Sequence, residues 1–341
     1  MPQHEGHGRS NFRHRKRLLP SASEHSAYFE FDFPGLRIGT AEYAEGPTGV
    51  TVFHFPERVF GSVDTRGGAP GTSLTQLLNA SFGRYISAIA FCGGSAYGLE
   101  AASGLATALL DSGVASGTWG DIAIVPAAVV FDFKARNNTV YPDRELGLAA
   151  LRMAREGRFP LGTRGAGAFV HCGSYFGEAF MERSGQGAAF RELGPTRLAV
   201  FTVVNARGVI IDRQGRVILG NRDPQVGSRT AVATMVSGRH NIGIDAASSL
   251  GLTDSTTLTL VATNRVLEQA QLQRIAIEAH SSMARAIQPF HTARDGDTLF
   301  AVTTANCDAN DPSLEDLSVY ASELAWDAVL RCVPAASHTG A

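Results

Sequence analysis

Charge, cysteine and long apolar runs are all scarce in this chain of 341 residues. Asp, Glu, Lys and Arg make up 18%, against about 25% in an ordinary soluble domain. The formal net charge is −2, and 44% of residues are hydrophobic. Weak charge with that much apolar material excludes the disordered class, which is rich in charge and poor in apolar residues. A near-neutral balance also argues against a nucleic-acid binder, because phosphate contacts need a surplus of Lys and Arg. What basic surplus exists lies at one end: Arg9, Arg13, Arg15, Lys16 and Arg17 stand against Glu5 and Glu24 within residues 1–26. This stretch is expected to be a disordered, solvated tail.

The four cysteines, Cys92, Cys172, Cys307 and Cys332, are widely scattered, with no CxxC pair and no disulfide-dense pattern. Free thiols in a reducing compartment, the cytoplasm, are the expectation. No run approaches about 18 uninterrupted apolar residues, and no apolar stretch follows the basic tail as it would in a secretory signal. No membrane span is expected.

Several motifs are missing. There is no G-x-x-x-x-G-K-[ST] phosphate loop, and the glycines of Gly162-Thr163-Arg164-Gly165-Ala166-Gly167 do not have dinucleotide spacing. Gly93-Gly94-Ser95-Ala96-Tyr97-Gly98 approaches a nucleophile elbow but places Tyr97 where G-x-S-x-G needs glycine. HExxH is absent, and His280 and His291 lack ligand spacing. Neither a metal nor a cofactor is expected.

Glycine, by contrast, is abundant at 37 residues. Ordered sequence begins near Tyr28, where Phe29, Phe31 and Phe33 alternate with acidic residues in strand period. Helical spacing holds from Tyr97 to Asp111, and the run Ile122–Phe133 reads as a buried strand. Asp143 is placed to cap a helix carrying Leu146, Ala150 and Met153. Leu198–Val204 and Val209–Ile211 read as strands around an Asn205-Ala206-Arg207-Gly208 turn, and residues 221–255 hold no period. Thr257–Thr263 is a clean strand, followed by a helix with Leu272, Ile275, Ala276, Ala279, Met283 and Ile287 on one face. A strand around Phe300–Val302 and a last helix over Glu315–Leu330 complete an α+β pattern, expected to form one domain over residues 27–341.

The break at Ser255-Thr256 carries the chemistry. A polar, irregular segment delivers Thr256 onto the first position of a strong strand. Cut there, Thr256 would combine a hydroxyl nucleophile with its own α-amine, whose ordinary pKa of about 7.7–8.0 suits a general base. Thr-Thr at a strand start also has a plain β-propensity explanation. Asp295 and Asp297 bracket Gly296 before the next strand, so both carboxylates can face one site; Asp-Gly is equally a routine turn dipeptide. Asn205 offers an amide to an oxyanion, or simply fills a turn.

Family resemblance decides between these. Phe33-Pro34-Gly35, Glu45-Gly46-Pro47-Thr48-Gly49, Gly93–Glu100, Tyr141-Pro142-Asp143, Gly185–Phe190, Ser255-Thr256-Thr257, Gln288–Thr292 and Asp295–Phe300 together resemble the P1 family of self-processing aminopeptidases. That family includes D-aminopeptidase/esterases, β-peptidyl aminopeptidases and nylon-oligomer endohydrolases. The resemblance runs from about Phe29 to Ala328. It implies a four-layer αββα sandwich of the N-terminal-nucleophile type, autocleavage between Ser255 and Thr256 into residues 1–255 and 256–341, and a homotetramer of cleaved protomers. It assigns Thr256 as nucleophile, Asp295 and Asp297 as its aspartates and Asn205 as oxyanion donor. The implied substrate is a short amide: a 6-aminohexanoate (nylon-6) oligomer, or an amino-terminal peptide or β-peptide bond. An acyltransferase of the ornithine acetyltransferase type and an unprocessed, inactive homologue are the alternatives.

Three positions depart from the family pattern. Ser255 stands where Asn usually precedes the nucleophile, Phe131 stands where many members carry an active-site Tyr, and Ser174 or Tyr175 occupies the place of a Lys. Lys134 and Tyr175 are the nearby candidates to compensate.

Overall fold

The structure is a computed structural model that describes residues 18, 27–79, 85–134, 136–238 and 255–334. Nine strands form one continuous hydrogen-bonded sheet: β1 (Arg37–Tyr43), β2 (Thr48–Thr65), β3 (Thr72–Ser73), β4 (Ile86–Cys92), β5 (Ala127–Val129), β6 (Gln186–Leu193), β7 (Thr196–Asn205), β8 (Thr256–Arg265) and β9 (Thr298–Cys307). Their order is β6-β7-β8-β9-β2-β4-β5-β3, with β1 also paired to β2. The 18-residue β2 joins two half-sheets. Its first part, Thr48–His54, pairs with β1, and Val50–His54 also pairs with β4. Its last part, Phe60–Thr65, pairs with β9. The register slips between His54 and Val59, where Arg58 takes a left-handed φ of 55°.

Helices cover both outer faces. α1 (Leu99–Asp111) and α2 (Arg144–Arg152) pack on β4 and β1; α4 (Gln269–Ser282) and α5 (Leu314–Leu330) pack on β9, β7 and β6. α3 (Val232–Gly238) is a short helix between β7 and β8 in chain order. Period-two alternation sorts the strand side chains into three cores. In β8, Leu258, Leu260 and Ala262 face the central core, and Val261 faces the helices. In β9, Phe300 and Val302 point inward, and Leu299 and Ala301 point outward. β7 does the same with Phe201 and Val203 against Val200 and Val204. Phe53, Phe91 and Ile89 meet them from the other half-sheet, while Val50, Val52, Ala88 and Ala90 pack on α1 and α2. Three apolar interlayers mean four layers: the αββα sandwich expected from the family resemblance.

Several expectations are met locally. Asp143 caps α2, accepting from the Leu146 amide at 3.1 Å, and α5 spans the expected residues. Others are corrected. The Phe29–Phe33 strand is shorter, Tyr28–Glu30, with Phe31 and Phe33 reaching the core from extended chain. Of the Ile122–Phe133 run, only Ala127–Val129 is strand, because only those residues find a ladder partner on β4. α4 stops at Ser282, and Met283 and Ile287 fill the same core from a 3-10 turn and a two-residue strand. Val209–Ile211 does not form a hairpin with β7 but pairs with Val217–Leu219 and Ile287–Gln288. Residues 221–238 are not aperiodic throughout, since they contain α3; 239–254 lie outside the described residues, as does the basic tail apart from Leu18.

Candidate active site

Thr256 opens β8 at the point where the strand emerges between β7 and β9. It is buried, and so is Ser255. The Thr256 hydroxyl donates to the carbonyl oxygen of Ser255 at 2.6 Å, so the hydroxyl lies against the carbonyl of its own preceding peptide bond. A second donor, the Gly296 amide, reaches the same oxygen at 2.8 Å. The contact is set by a parallel bridge between Ser255 and Asp295, in which the Ser255 amide also donates to the Arg294 carbonyl at 3.2 Å. Gly296 has to be glycine here. A Cβ at this position would stand 2.7 Å from the Thr256 hydroxyl oxygen and 2.8 Å from the Ala69 carbonyl oxygen.

Asn205 faces Thr256 directly, as the last register pair of β7 and β8. Its side chain bridges two other segments: Nδ2 donates to the Phe131 carbonyl at 3.0 Å, and Oδ1 accepts from the His171 amide at 3.1 Å. One of the two Nδ2 hydrogens is therefore committed to Phe131. The Phe131 ring packs edge-on against Phe133 and offers no hydroxyl.

The two aspartates hold backbone rather than the hydroxyl. Asp297 Oδ1 accepts from the Thr257 amide at 2.7 Å, and its Oδ2 accepts from the His291 amide at 3.1 Å. Asp295 Oδ2 accepts from the Thr292 amide at 2.8 Å, while its Oδ1 is buried without a hydrogen-bond partner among the described residues. Both carboxylates are almost fully buried. Burial, and then the Asp297 charge, push the Asp295 carboxyl up to about 6.

Lys134 lies buried on the other side, with Nζ 3.3 Å from Ser255 Oγ. Burial first, and then the charges of Arg183 and Lys134, bring His171 down to about 4, so its imidazole is neutral near pH 7. Tyr175 is one step further out: the Arg207 guanidinium lies 5.5 Å from its ring centre, and its apolar part packs on Val209 and Ile211. The structure thus gathers Ser255, Thr256, Asn205, Asp295, Asp297, Lys134 and the Phe131 carbonyl around one peptide bond, and leaves Tyr175 at the rim.

Sequence reasoning gave no role to Gly296, His291 or His171. Gly296 was visible only as the turn residue between two aspartates, and its amide direction depends on the parallel bridge. Among the described residues, no three His, Cys, Asp or Glu converge to hold a metal ion. No described helix is long and apolar enough to cross a membrane.

Comparisons with known proteins give the family and the fold. The model of peptidase family S58 matches residues 31–341. The 6-aminohexanoate-oligomer endohydrolase of Paenarthrobacter ureafaciens is 41% identical over 324 residues, covering 92% of this chain and 88% of that protein. An uncharacterized aminopeptidase of Mycobacterium leprae is 36% identical, covering 76% and 72%. Among solved structures, the beta-aminopeptidase of Burkholderia sp. superposes with a TM-score of 0.63 at 17% identity, covering 88% of this chain and 84% of that one. The L-aminopeptidase D-Ala-esterase/amidase of Ochrobactrum anthropi, a variant of the Ntn-hydrolase fold, gives 0.60 at 16%, covering 87% and 83%. At such identities the structures speak for the fold, while the family match spans nearly all of the chain: it belongs to peptidase family S58 and is a hydrolase with an Ntn-type αββα sandwich.

Proposed function

We propose that this chain is a self-processing amide hydrolase whose nucleophile is the threonine released by its own cleavage between Ser255 and Thr256. The observation that carries this reading is the placement of the Thr256 hydroxyl 2.6 Å from the Ser255 carbonyl oxygen, with the Gly296 amide on the same oxygen at 2.8 Å. In the first stage the Thr256 hydroxyl oxygen attacks the Ser255 carbonyl carbon and its proton leaves to a base. Negative charge develops on the carbonyl oxygen that Gly296 already holds. Collapse breaks the C–N bond as that proton passes from the base to the departing nitrogen, giving an ester; water hydrolyses it, leaving a Ser255 carboxylate and a Thr256 with a free amine.

In the second stage the same hydroxyl attacks a substrate amide. The Thr256 amine accepts the hydroxyl proton and delivers it to the leaving amine. Asn205, opposite Thr256, is the side-chain donor suited to the new oxyanion, using its remaining Nδ2 hydrogen. Asp295 and Asp297 fix the backbone around the nucleophile and supply negative charge for its ammonium form. Water then releases the acyl group.

The substrate class we propose is a short linear amide, with 6-aminohexanoate oligomers first and amino-terminal peptide or β-peptide amides second. It rests on the 41% identity to an enzyme named for that oligomer. Residues 27–341 would act as one catalytic unit, cleaved into residues 1–255 and 256–341 and assembled as a tetramer in the cytoplasm. The test is hydrolysis of a soluble 6-aminohexanoate oligomer and of amino-terminal amides by wild-type protein and by Thr256→Ala. Turnover by the wild type alone supports the reading, and equal turnover by the variant removes Thr256 from its role. Adding hydroxylamine or ornithine as acceptor separates hydrolysis from acyl transfer. A wild type that neither processes nor turns over is the inactive homologue.

A further inference from the structure

We propose that His291 is a positioning residue of this site: it anchors the Asp297 carboxylate that fixes the backbone beside Thr256, and it links that carboxylate to a buried His280–Asp64 pair. The inference rests on Thr256 being the nucleophile.

The geometry is a continuous chain of contacts. His291 sits in left-handed backbone, φ 58°, which turns its amide and its ring the same way. Both reach Asp297 Oδ2, the amide at 3.1 Å and Nδ1 at 3.0 Å. The other Asp297 oxygen takes the Thr257 amide at 2.7 Å. Behind His291, the His280 ring crosses it edge to face with centres 4.4 Å apart. His280 projects from the inner face of α4, and its Nδ1 lies 2.8 Å from Asp64 Oδ2 on β2. Phe290 closes the cluster with ring centres 5.8 Å from His280 and 3.9 Å from His291. Such a left-handed conformation is costly for most residues and persists only where its surroundings hold it.

An ionised carboxylate only accepts, so the Nδ1 of each histidine carries the hydrogen. Both Nε2 atoms are buried with no hydrogen-bond partner among the described residues, and burial disfavours the charged form of His280. His291 therefore holds Asp297 Oδ2 through two donors, its amide and its Nδ1–H.

His291→Asn tests this, because Asn tolerates left-handed backbone and keeps a donor toward Asp297. His291→Ala should lower kcat for a soluble 6-aminohexanoate oligomer about ten- to a hundredfold, as for losing one hydrogen bond to a charged group, with KM little changed, and His291→Asn should restore most of that rate. A His291→Ala variant as fast as the wild type, or a His291→Asn variant as slow as His291→Ala, overturns the proposal.

A second readout does not need activity. The Nδ1–H signal of His291, followed by NMR, should be protected from exchange in the wild type and lose that protection in Asp297→Ala, which removes its acceptor. A signal unchanged in Asp297→Ala overturns the link between the two residues. A wild type without turnover defeats the hydrolase reading instead, and the NMR signal still decides this one.

Discussion

The amide of Gly296 donates to the carbonyl oxygen of Ser255, at 2.8 Å. A backbone donor placed there is preorganised, because it belongs to the loop that the Ser255–Asp295 bridge ties to the strand start. Gly296→Ala would put a Cβ within 2.7 Å of the Thr256 hydroxyl oxygen, displacing either the nucleophile or the donor. Self-cleavage is expected to slow by about 10²–10³, the loss typical of one oxyanion donor. A time course of the two fragments on a denaturing gel checks it.

Asn205 is expected to serve both structure and reaction. Asn205→Ala removes the acceptor of the half-buried His171 amide and the link to Phe131, so unfolding stability should fall by about 1–3 kcal/mol. Turnover should fall by about 10²–10³ in addition. Denaturant melts of the variant, set beside its kinetics, separate the two effects.

The raised Asp295 carboxyl predicts a pH-dependent stability. Its ordinary value is 3.8, and in the fold it is about 6, so between those limits the folded protein holds a proton that the unfolded chain has released. Stability contributed by this group is thus full below about pH 4, lost as pH rises to about 6, and flat above. Asp295→Asn should therefore be more stable than the wild type above pH 6, by up to about 3 kcal/mol, and no more stable at pH 4. Melting curves of an unprocessed Thr256→Ala background at the two pH values test the sign.

Much of this architecture was legible in the sequence, and the site was less so. Thr257–Thr263 announces its strand by alternation, and Asp143 announces its cap by chemistry, because both signals are local. The face-to-face placement of Asn205 and Thr256 depends on the register of two strands some 50 residues apart, which no local pattern encodes. Asp295 and Asp297 were expected to hold the Thr256 hydroxyl, whereas their hydrogen bonds go to the backbone of Thr292, Thr257 and His291. The extended Val130–Phe133 segment was hidden by its apolar run: Phe131 contributes a carbonyl, not a ring substituent.

Lys134 is expected to matter through Ser255 and through charge. Lys134→Met removes the 3.3 Å contact to the Ser255 hydroxyl and one of the two cations that hold His171 down. Processing should slow, and the His171 titration should rise from about 4 while remaining below the ordinary histidine value, because burial is its larger cause. An NMR titration of His171 reads this directly.

The most direct measurement is the intact mass of the purified protein, with the N-terminal sequence of any smaller piece. Two fragments, residues 1–255 and 256–341, the second beginning Thr-Thr-Leu, are expected from the wild type, and a single full-length mass from Thr256→Ala. Wild-type protein that keeps one full-length mass through prolonged incubation and warming would contradict Thr256 as a self-released nucleophile.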